Sequence, residues 1–158
     1  MATLQELVED FLALKRIAVV GVSRADKLSP ANAIWKKLLG AGYEAFAVNP
    51  QTDEIDGQPC HRSLGAIPSG VDAVVFAAPP GAAEEVVREC AQLGIHRFWM
   101  HRALGTGSFS PAAAELARQN GIAVIAGACP MMYVPPVDIA HKCFKFVLRI
   151  TGGLPNPQ

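Results

Sequence analysis

The turn that follows the first apolar run of the chain combines residue types that bind phosphate groups. Gly21 ends the run and permits a tight turn, and Ser23 adds a hydroxyl and a backbone amide. Arg24 and Lys27 then add two cations. A helix that starts at Pro30 would point its N-terminal amides and its positive dipole end back toward them. The pattern favours a pyrophosphate group, and the alternative is a solvated turn with two surface cations.

The same turn departs from the glycine-rich motif of nicotinamide dinucleotide sites. That motif requires G-x-G-x-x-G after the first strand and an acidic residue at the end of the second strand. Here the first glycine, Gly21, stands alone, and the second apolar run ends at Asn49-Pro50. These two departures argue against ordinary NAD binding. An NAD(P)-binding redox protein with a degenerate loop is the alternative function.

Cysteine and histidine residues lack the spacings of metal or nucleophile sites. No C-x-x-C, H-x-x-x-H or G-x-S-x-G motif is present. His101 and Cys129 are the pair expected at neighbouring strand ends, and packing explains each of them equally well. We therefore predict no catalytic residue and no metal ligand. The four cysteines are expected to be reduced thiols of a cytoplasmic protein rather than a disulfide scaffold.

Length and composition restrict the chain to one domain with a substantial core. Its 158 residues are 51% hydrophobic and 18% charged, with 14 basic and 14 acidic residues. This composition excludes disorder, and the zero net charge lacks the basic field that nonspecific nucleic-acid or anionic-membrane binding requires. Acidic residues interrupt the N-terminal apolar stretch, so we do not expect it to be a signal peptide. We predict a single domain over residues 1–150 and a Gly/Pro-rich tail over residues 151–158.

Alternating apolar runs and amphipathic segments predict an α/β fold. The expected strands are Arg16–Val20, Tyr43–Val48, Val71–Ala77, Ile95–Met100 and Ile122–Ala126. The expected helices begin after Thr3, at Ser29-Pro30, near Gly81, at Ser110-Pro111 and at Asp138. Segment 54–70 is predicted to be irregular. This alternation is typical of a single doubly wound, Rossmann-like parallel sheet, with about five strands in the order 3-2-1-4-5 and helices on both faces.

The loops at the carboxyl ends of the strands are expected to enclose the site, because ligands of such sheets bind where the strand order reverses. In the predicted order this crevice lies between the first and fourth strands. Beyond the first turn, the loops there contain Asn49-Pro50, Ala78-Pro79-Pro80, Met100-His101-Arg102 and Cys129-Pro130. Three of these loops carry a proline, which offers a rigid apolar surface for a nucleobase.

Five short motifs at these strand ends resemble a known family. They are VVGVS, VNP, AAPPG, FWMH and ACPM, in this order along the chain. The combination resembles the small stand-alone CoA-binding domain proteins, which are similar to the CoA-binding N-terminal domain of the succinyl-CoA synthetase alpha subunit. The resemblance covers about residues 5 to 132 and implies a Rossmann-like domain that binds coenzyme A.

The resemblance also implies a role for residues of each loop. The residues implied to contact the CoA phosphates are Gly21, Val22 and Ser23, assisted by Arg24 or Lys27. The residues implied to border the adenosine are Asn49 and Pro50 on one side and Ala78 and Pro79 on the other. The residues implied to line the path of the pantetheine arm are Met100, His101, Cys129 and Pro130.

The chain departs from the family pattern at two places. Gln51 stands where family members commonly have a lysine, so the choice between CoA and dephospho-CoA stays open. The loop after Met100 also differs, and Arg102 is the candidate anion contact there.

The function implied by the resemblance is non-catalytic binding of CoA or an acyl-CoA by a carrier, sensor or regulator. The related synthetases act through a phosphorylated histidine that another domain contributes and through an ATP-grasp partner, and we expect neither of these parts in the 158 residues. An interaction subunit with an empty pocket is a third hypothesis. A nearby cofactor thiol would permit a mixed disulfide with Cys129, and the alternative is a small packed side chain.

The aromatic residues are expected to pack rather than to stack on a base. Trp35, Phe98 and Trp99 lie on apolar faces of predicted elements and are expected in the core. Phe144, Phe146 and Val147 on the last helix are expected either in the core or on a self-association face of a homodimer.

Overall fold

The computed structural model describes residues 2–155, and these contain five α-helices and seven strands. The helices are α1 (Leu4–Leu12), α2 (Pro30–Gly40), α3 (Ala83–Leu93), α4 (Pro111–Gln119) and α5 (Ile139–Thr151). The strands are β1 (Arg16–Val20), β2 (Glu44–Val48), β3 (Glu54–Ile55), β4 (Gln58–His61), β5 (Ala73–Phe76), β6 (Arg97–Met100) and β7 (Ala123–Ala126). Short 3-10 turns lie at Leu64–Ala66, Pro80–Ala82 and Pro130–Met132.

Side-chain caps begin four of the helices where the sequence predicts them. Thr3 forms a capping box with Glu6 at the start of α1. Ser29, Ser110 and Asp138 each accept a hydrogen bond from the amide three residues ahead, at the starts of α2, α4 and α5. Each such cap contributes about 1 kcal/mol to helix stability. The helix α3 begins instead after a 3-10 turn, without a side-chain cap.

The sheet is mostly parallel, and its six parallel strands, all but β3, end at one edge. Neighbouring strands follow the order β3-β4-β2-β1-β5-β6-β7, in which the β3–β4 pair is antiparallel. Val20 at the end of β1 is paired with Val48 on one side and with Phe76 on the other. Phe76 is paired with Met100, and Met100 with Ala126. The loops after these strands therefore begin at the same level.

The predicted strand number, about five, and the predicted order, 3-2-1-4-5, are both corrected by this sheet. The third predicted strand is β5, and it pairs with β1 rather than with β2. The free edge of β2 is occupied by β4, which pairs with it through Ala47–Cys60 and Val48–His61. The strand order therefore reverses between β1 and β5, so the crevice lies there and not between the first and fourth predicted strands.

The β3–β4 hairpin lies in segment 54–70, for which the sequence pattern predicts no regular structure. Asp56 and Gly57 form its turn, and both have a positive φ, 51° and 75°. Asp-Gly is a preferred sequence for tight hairpin turns, so this dipeptide was a signal of the hairpin. The strand β3 has only two residues and β4 contains Pro59, so neither forms the continuous apolar run that predicts the other strands.

Two hydrophobic cores cover the two faces of the sheet. Successive side chains of a strand point to opposite faces. Ile17 and Val19 of β1 accordingly belong to the core under α1 and α2, and Ala18 and Val20 belong to the core under α3 and α4. This arrangement confirms the α/β class with helices on both faces.

The aromatic residues Trp35, Phe98 and Trp99 are buried, as the sequence predicts. Trp99 packs edge-on against Phe11 of α1, with ring centroids 5.3 Å apart. Its indole Nε1 donates a hydrogen bond to the carbonyl of Gly127 at 2.9 Å. A buried tryptophan with a satisfied N–H supports the core without an unpaired polar group.

The helix α5 contacts the core on one side and exposes apolar side chains on the other. Phe144 is partly buried against the core, whereas Phe146 and Ile150 are 64% and 66% exposed. The core alternative is therefore wrong for Phe146 and Val147, and self-association through this face stays a prediction.

Of the predicted tail 151–158, Gly152 caps α5 and residues 156–158 lie outside the described part. Within residues 2–155, every helix is too short or too polar to cross a bilayer.

Candidate functional site

A groove of about 450 Å³ opens at the carboxyl edge of the sheet, beside the crevice between β1 and β5. The lining residues expected from the sequence are Gly21, Ser23, Asn49, Pro50, Ala78 and Pro79. Gln51, where the chain departs from the family pattern, lines the groove as well. Further lining residues, which the sequence pattern did not assign to the site, include Arg62, Ser63, Leu64, Glu85 and Glu89. The volume lies within the usual range of small-molecule sites.

Another depression, of about 500 Å³, includes the opposite edge of the sheet. Its lining contains Arg16 and Glu44, the first residues of β1 and β2, which form an ion pair at 3.2 Å. Ligands of doubly wound sheets bind beyond the carboxyl ends of the strands. The 450 Å³ groove is therefore the candidate site.

Gly21 allows the loops after β1 and β5 to touch. It has a φ of +106°, and a Cβ placed on it would lie 2.7 Å from the carbonyl carbon and oxygen of Ala77 and 2.8 Å from the nitrogen of Ala78. Its amide donates to the carbonyl of Val48 at 3.1 Å, so the glycine also lies against β2. A residue with a side chain does not fit this contact. Gly21 is thus required by the approach of two backbones as well as by the turn.

The buried side chain of Asn32, in α2, holds the loop after β1. Its Oδ1 accepts hydrogen bonds from the Ser23 amide and the Ser29 hydroxyl, both at 2.7 Å. Its Nδ2 donates to the Ser23 carbonyl at 2.8 Å. The sequence did not predict a role for Asn32, because no local pattern indicates which loop an asparagine within a helix will contact.

The Ser23 amide, which was expected to face a phosphate, instead donates its hydrogen bond to Oδ1 of Asn32. The Ser23 hydroxyl accepts a hydrogen bond from the Asp26 amide at 2.9 Å. A hydroxyl that accepts one hydrogen bond can still donate its own proton. Ser23 lines the groove, and its hydroxyl keeps a proton that it can donate. Val22 beside it, also expected to contact the phosphates, is buried outside the groove lining.

Asn49 connects the loops after β1 and β2. Its Nδ2 donates to the carbonyl of Val22 at 2.8 Å, and its Oδ1 accepts from the amide of Gln51 at 2.8 Å. Pro50 next to it and Pro79 after β5 both line the groove. The two prolines give the groove rigid apolar surfaces from different loops.

The two cations expected beside the first loop lie outside the groove lining. Lys27 Nζ lies 3.1 Å from Oδ1 of Asp56, and Lys36 Nζ lies 3.0 Å from Oδ2 of the same carboxylate. Hydrogen bonds from Lys36 and then Lys27 lower the pKa of Asp56. Arg24 is exposed on the same loop. Lys27 thus connects the first loop to the β3–β4 turn.

Arg62 is the cationic side chain among the described residues that line the groove. Its guanidinium donates to both carboxylate oxygens of Asp53, at 2.7 and 3.0 Å. It also donates to the carbonyl of Pro50 at 3.2 Å. The hydrogen bond and charge of Arg62 lower the pKa of Asp53, and those of Asp53 raise the pKa of Arg62.

The position of Arg62 at the carboxyl edge depends on the unpredicted strand β4. His61 at the end of β4 is paired with Val48, so Arg62 lies at the level of Asn49. The Asp56-Gly57 turn was the sequence signal that could have found it, because a hairpin there predicts a strand ending beside Arg62.

The residues expected along a pantetheine arm lie at the ends of β6 and β7, outside the groove lining. Met100 is fully buried, and His101, Cys129 and Pro130 are buried as well. Burial lowers the pKa of His101 and raises the pKa of Cys129. Because β5 separates β1 from β6, these positions are about 10–14 Å across the sheet from β1.

Arg102, the candidate anion contact after β6, is directed toward its own loop. Its Nε donates to the carbonyl of Gly105 at 2.7 Å, and its guanidinium carbon lies 5.8 Å from the ring centroid of Phe109.

No group of three or more His, Cys, Asp or Glu side chains with the arrangement of a metal site occurs within the described part of the chain.

Among the four cysteine thiols, we expect Cys143 alone to react rapidly in the native protein. Cys143 is exposed, whereas Cys60, Cys90 and Cys129 are buried. Burial raises the pKa of Cys90 to about 12 and that of Cys129 above its ordinary value. The thiolate is the reactive form, so these thiols are expected to react only after unfolding. Titration with an aromatic disulfide reagent, with and without denaturant, measures both phases.

Two variants test this assignment of the fast thiol. Cys143→Ser is expected to remove the fast phase, and Cys129→Ser is expected to leave it unchanged. A fast phase that disappears in Cys129→Ser would show that Cys129 is reachable and would support a mixed disulfide with a thiol ligand.

The sequence profile described as the CoA binding domain matches residues 15–135, which is most of the chain. The chain belongs to the CoA-binding domain family. All residues that line the groove lie within the part of the chain that matches the CoA-binding domain. The resemblance noted from the five motifs is confirmed.

Similar proteins occur in bacteria and archaea. The chain is 35% identical to the uncharacterized protein YneT of Bacillus subtilis (strain 168) over 145 residues, which cover 89% of this chain and 95% of that protein. It is 37% identical to the ADP-forming acetate–CoA ligase II of Archaeoglobus fulgidus over 87 residues, which cover 54% of this chain and only 13% of the ligase. A solved hypothetical protein from Pyrococcus horikoshii OT3 has a TM-score of 0.72 and 27% identity, over 81% of this chain and 87% of that one.

Proposed function

We propose that this protein binds coenzyme A or an acyl-CoA in the groove beside the β1–β5 crevice. The observation that carries the proposal is the position of the groove at the reversal of the strand order, in a chain of the CoA-binding domain family. Pro50 and Pro79 would border the adenine with apolar surface, and the Ser23 hydroxyl would donate to a phosphate oxygen. Such a mixed lining suits a nucleotide better than a purely apolar ligand.

We propose further that the protein acts without catalysing a reaction of its own, as a carrier, sensor or regulator of CoA thioesters. His101 and Cys129, the side chains best able to act as base and nucleophile, are buried outside the groove lining. The pKa of Cys129 is raised by burial, which disfavours the thiolate that nucleophilic catalysis needs. We propose a cytoplasmic location, because four free cysteines are typical of a reducing compartment.

Calorimetry and thermal unfolding with CoA, acetyl-CoA, NAD⁺ and NADPH test the proposal. CoA is expected to release or absorb heat and to raise the Tm by several degrees at a concentration of about 100 Kd, because a ligand that binds only the native state adds about 2.7 kcal/mol to its stability there. Heat and a Tm shift with NADPH but not with CoA would favour the redox alternative. No response to any of the four would contradict a nucleotide-binding function.

A pair of alanine variants locates the binding site. Ala82 lines the groove, whereas Ala112 is exposed on α4 outside the groove lining. Ala82→Trp fills the groove and is expected to abolish the Tm shift with CoA. Ala112→Trp is the matched control and is expected to keep it. A shift that survives in Ala82→Trp would place the ligand elsewhere.

A further inference from the structure

The groove contains one cationic side chain in the part of the chain that the structure describes, and that side chain is Arg62. The other polar lining residues are neutral, such as Gln51 and Ser63, or acidic, such as Glu85 and Glu89. An anionic group of a ligand that enters the groove therefore has a single side chain with which to form an ion pair.

The acidic residues lie on a different wall and restrict where that anion can lie. Glu85 and Glu89 belong to α3, whereas Arg62 follows β4. Glu89 accepts a hydrogen bond from the Gly65 amide at 3.0 Å, which holds its carboxylate in place. Like charges repel, so a phosphate is disfavoured beside α3 and favoured beside Arg62.

The guanidinium of Arg62 is oriented by the protein itself. Its hydrogen bonds to Asp53 and to the Pro50 carbonyl fix its plane at the rim of the groove. The Arg62 and Asp53 side chains are 58% and 73% exposed, so their ion pair is solvated and stabilises the fold little. A phosphate monoester carries more negative charge than one carboxylate and accepts two parallel N–H bonds from arginine. It can therefore replace Asp53 as the partner of Arg62.

We propose that Arg62 is the specificity-determining residue that selects the 3′-phosphate of CoA, an inference that rests on the proposed function. Arg62 contacts the carbonyl of Pro50, in the loop that would border the adenosine. The phosphate monoester of CoA is attached to the ribose of that adenosine. Dephospho-CoA has the same adenosine, diphosphate and pantetheine but lacks this monoester, and its diphosphate remains available to the Ser23 hydroxyl.

The ratio of the dissociation constants for dephospho-CoA and CoA, measured by calorimetry, tests the proposal. The unmodified protein is expected to bind CoA about tenfold more tightly than dephospho-CoA, as for one added charge-assisted contact. Arg62→Gln is expected to bring the ratio to about one, because it weakens the binding of CoA and leaves the binding of dephospho-CoA unchanged. Arg88→Gln is the matched control, because Arg88 is also 58% exposed and ion-paired but does not line the groove.

Asp53→Asn provides a test of opposite sign. It removes the carboxylate that competes for Arg62, so the preference for CoA is expected to rise, which a loss of structure would not produce. A ratio near one in the unmodified protein overturns the proposal while leaving nucleotide binding intact. An Arg62→Gln variant that loses affinity for CoA and for dephospho-CoA equally overturns it as well. Failure of both ligands to bind the unmodified protein overturns the proposed function itself.

Discussion

Gly21→Ala is expected to lower the free energy of unfolding by about 2–5 kcal/mol and to weaken CoA binding by at least about tenfold. The new methyl group would lie 2.7 Å from the backbone of Ala77, at a φ of +106° that alanine rarely adopts. Ala77 directly follows β5, and its amide donates to the carbonyl of Val20 at 2.9 Å, so this backbone cannot move aside as a flexible side chain can. The loops after β1 and β5 would therefore separate, and both of them line the groove.

Urea unfolding and calorimetry with CoA measure the two effects of Gly21→Ala. Gly42→Ala is the matched control, because Gly42 also has a positive φ, +88°, but has open space where the new methyl group would lie. The control is expected to lose about 1–2 kcal/mol from backbone strain alone and to bind CoA normally. Equal losses of stability in the two variants would show that strain, and not the close approach to Ala77, makes Gly21 necessary.

Asn32→Leu is expected to cost about 2–4 kcal/mol of stability and to weaken CoA binding. Asn32 is 1% exposed and satisfies both the amide and the carbonyl of Ser23. Leucine has a similar volume but leaves these two backbone groups without a partner in the interior. The loop that carries the Ser23 hydroxyl would then lose its attachment to α2.

The exposed asparagine Asn120 provides the control for Asn32. Its Nδ2 donates to the carbonyl of Leu116 at 2.8 Å at the end of α4, where water can replace the bond. Asn120→Leu is expected to change the free energy of unfolding by less than about 1 kcal/mol and to leave CoA binding unchanged. Denaturant midpoints together with CoA titrations measure both variants. A stable Asn32→Leu protein with normal CoA affinity would contradict the role given to Asn32.

Local features of the fold were predictable because they depend on near neighbours in the chain. Ser29 followed by Pro30 and Ser110 followed by Pro111 begin helices wherever the tertiary fold places them, because each serine caps an amide three residues ahead. The buried strands follow likewise from their continuous apolar runs. The same locality explains why the motifs at the strand ends sufficed to indicate the family.

The pairing of strands was not predictable in this way. The strand β5 is as apolar as β1, so its side chains do not specify which edge of β1 or β2 it joins. The short β3–β4 hairpin occupies the free edge of β2, so β5 pairs with β1 instead. This hairpin has little apolar character, and its local signal in the sequence is Asp56-Gly57.

The sequence by itself determined the α/β class, the helix starts, the buried strands, the need for glycine at position 21 and the family. The tertiary structure alone decided that the crevice lies between β1 and β5, that Asn32 anchors the first loop, and that Arg62 rather than Lys27 lies in the groove. The physical reason is distance along the chain. Caps and apolar runs act between residues a few positions apart, whereas Arg62 meets Pro50 and Asn32 meets Ser23 only after the backbone has returned to the same edge of the sheet.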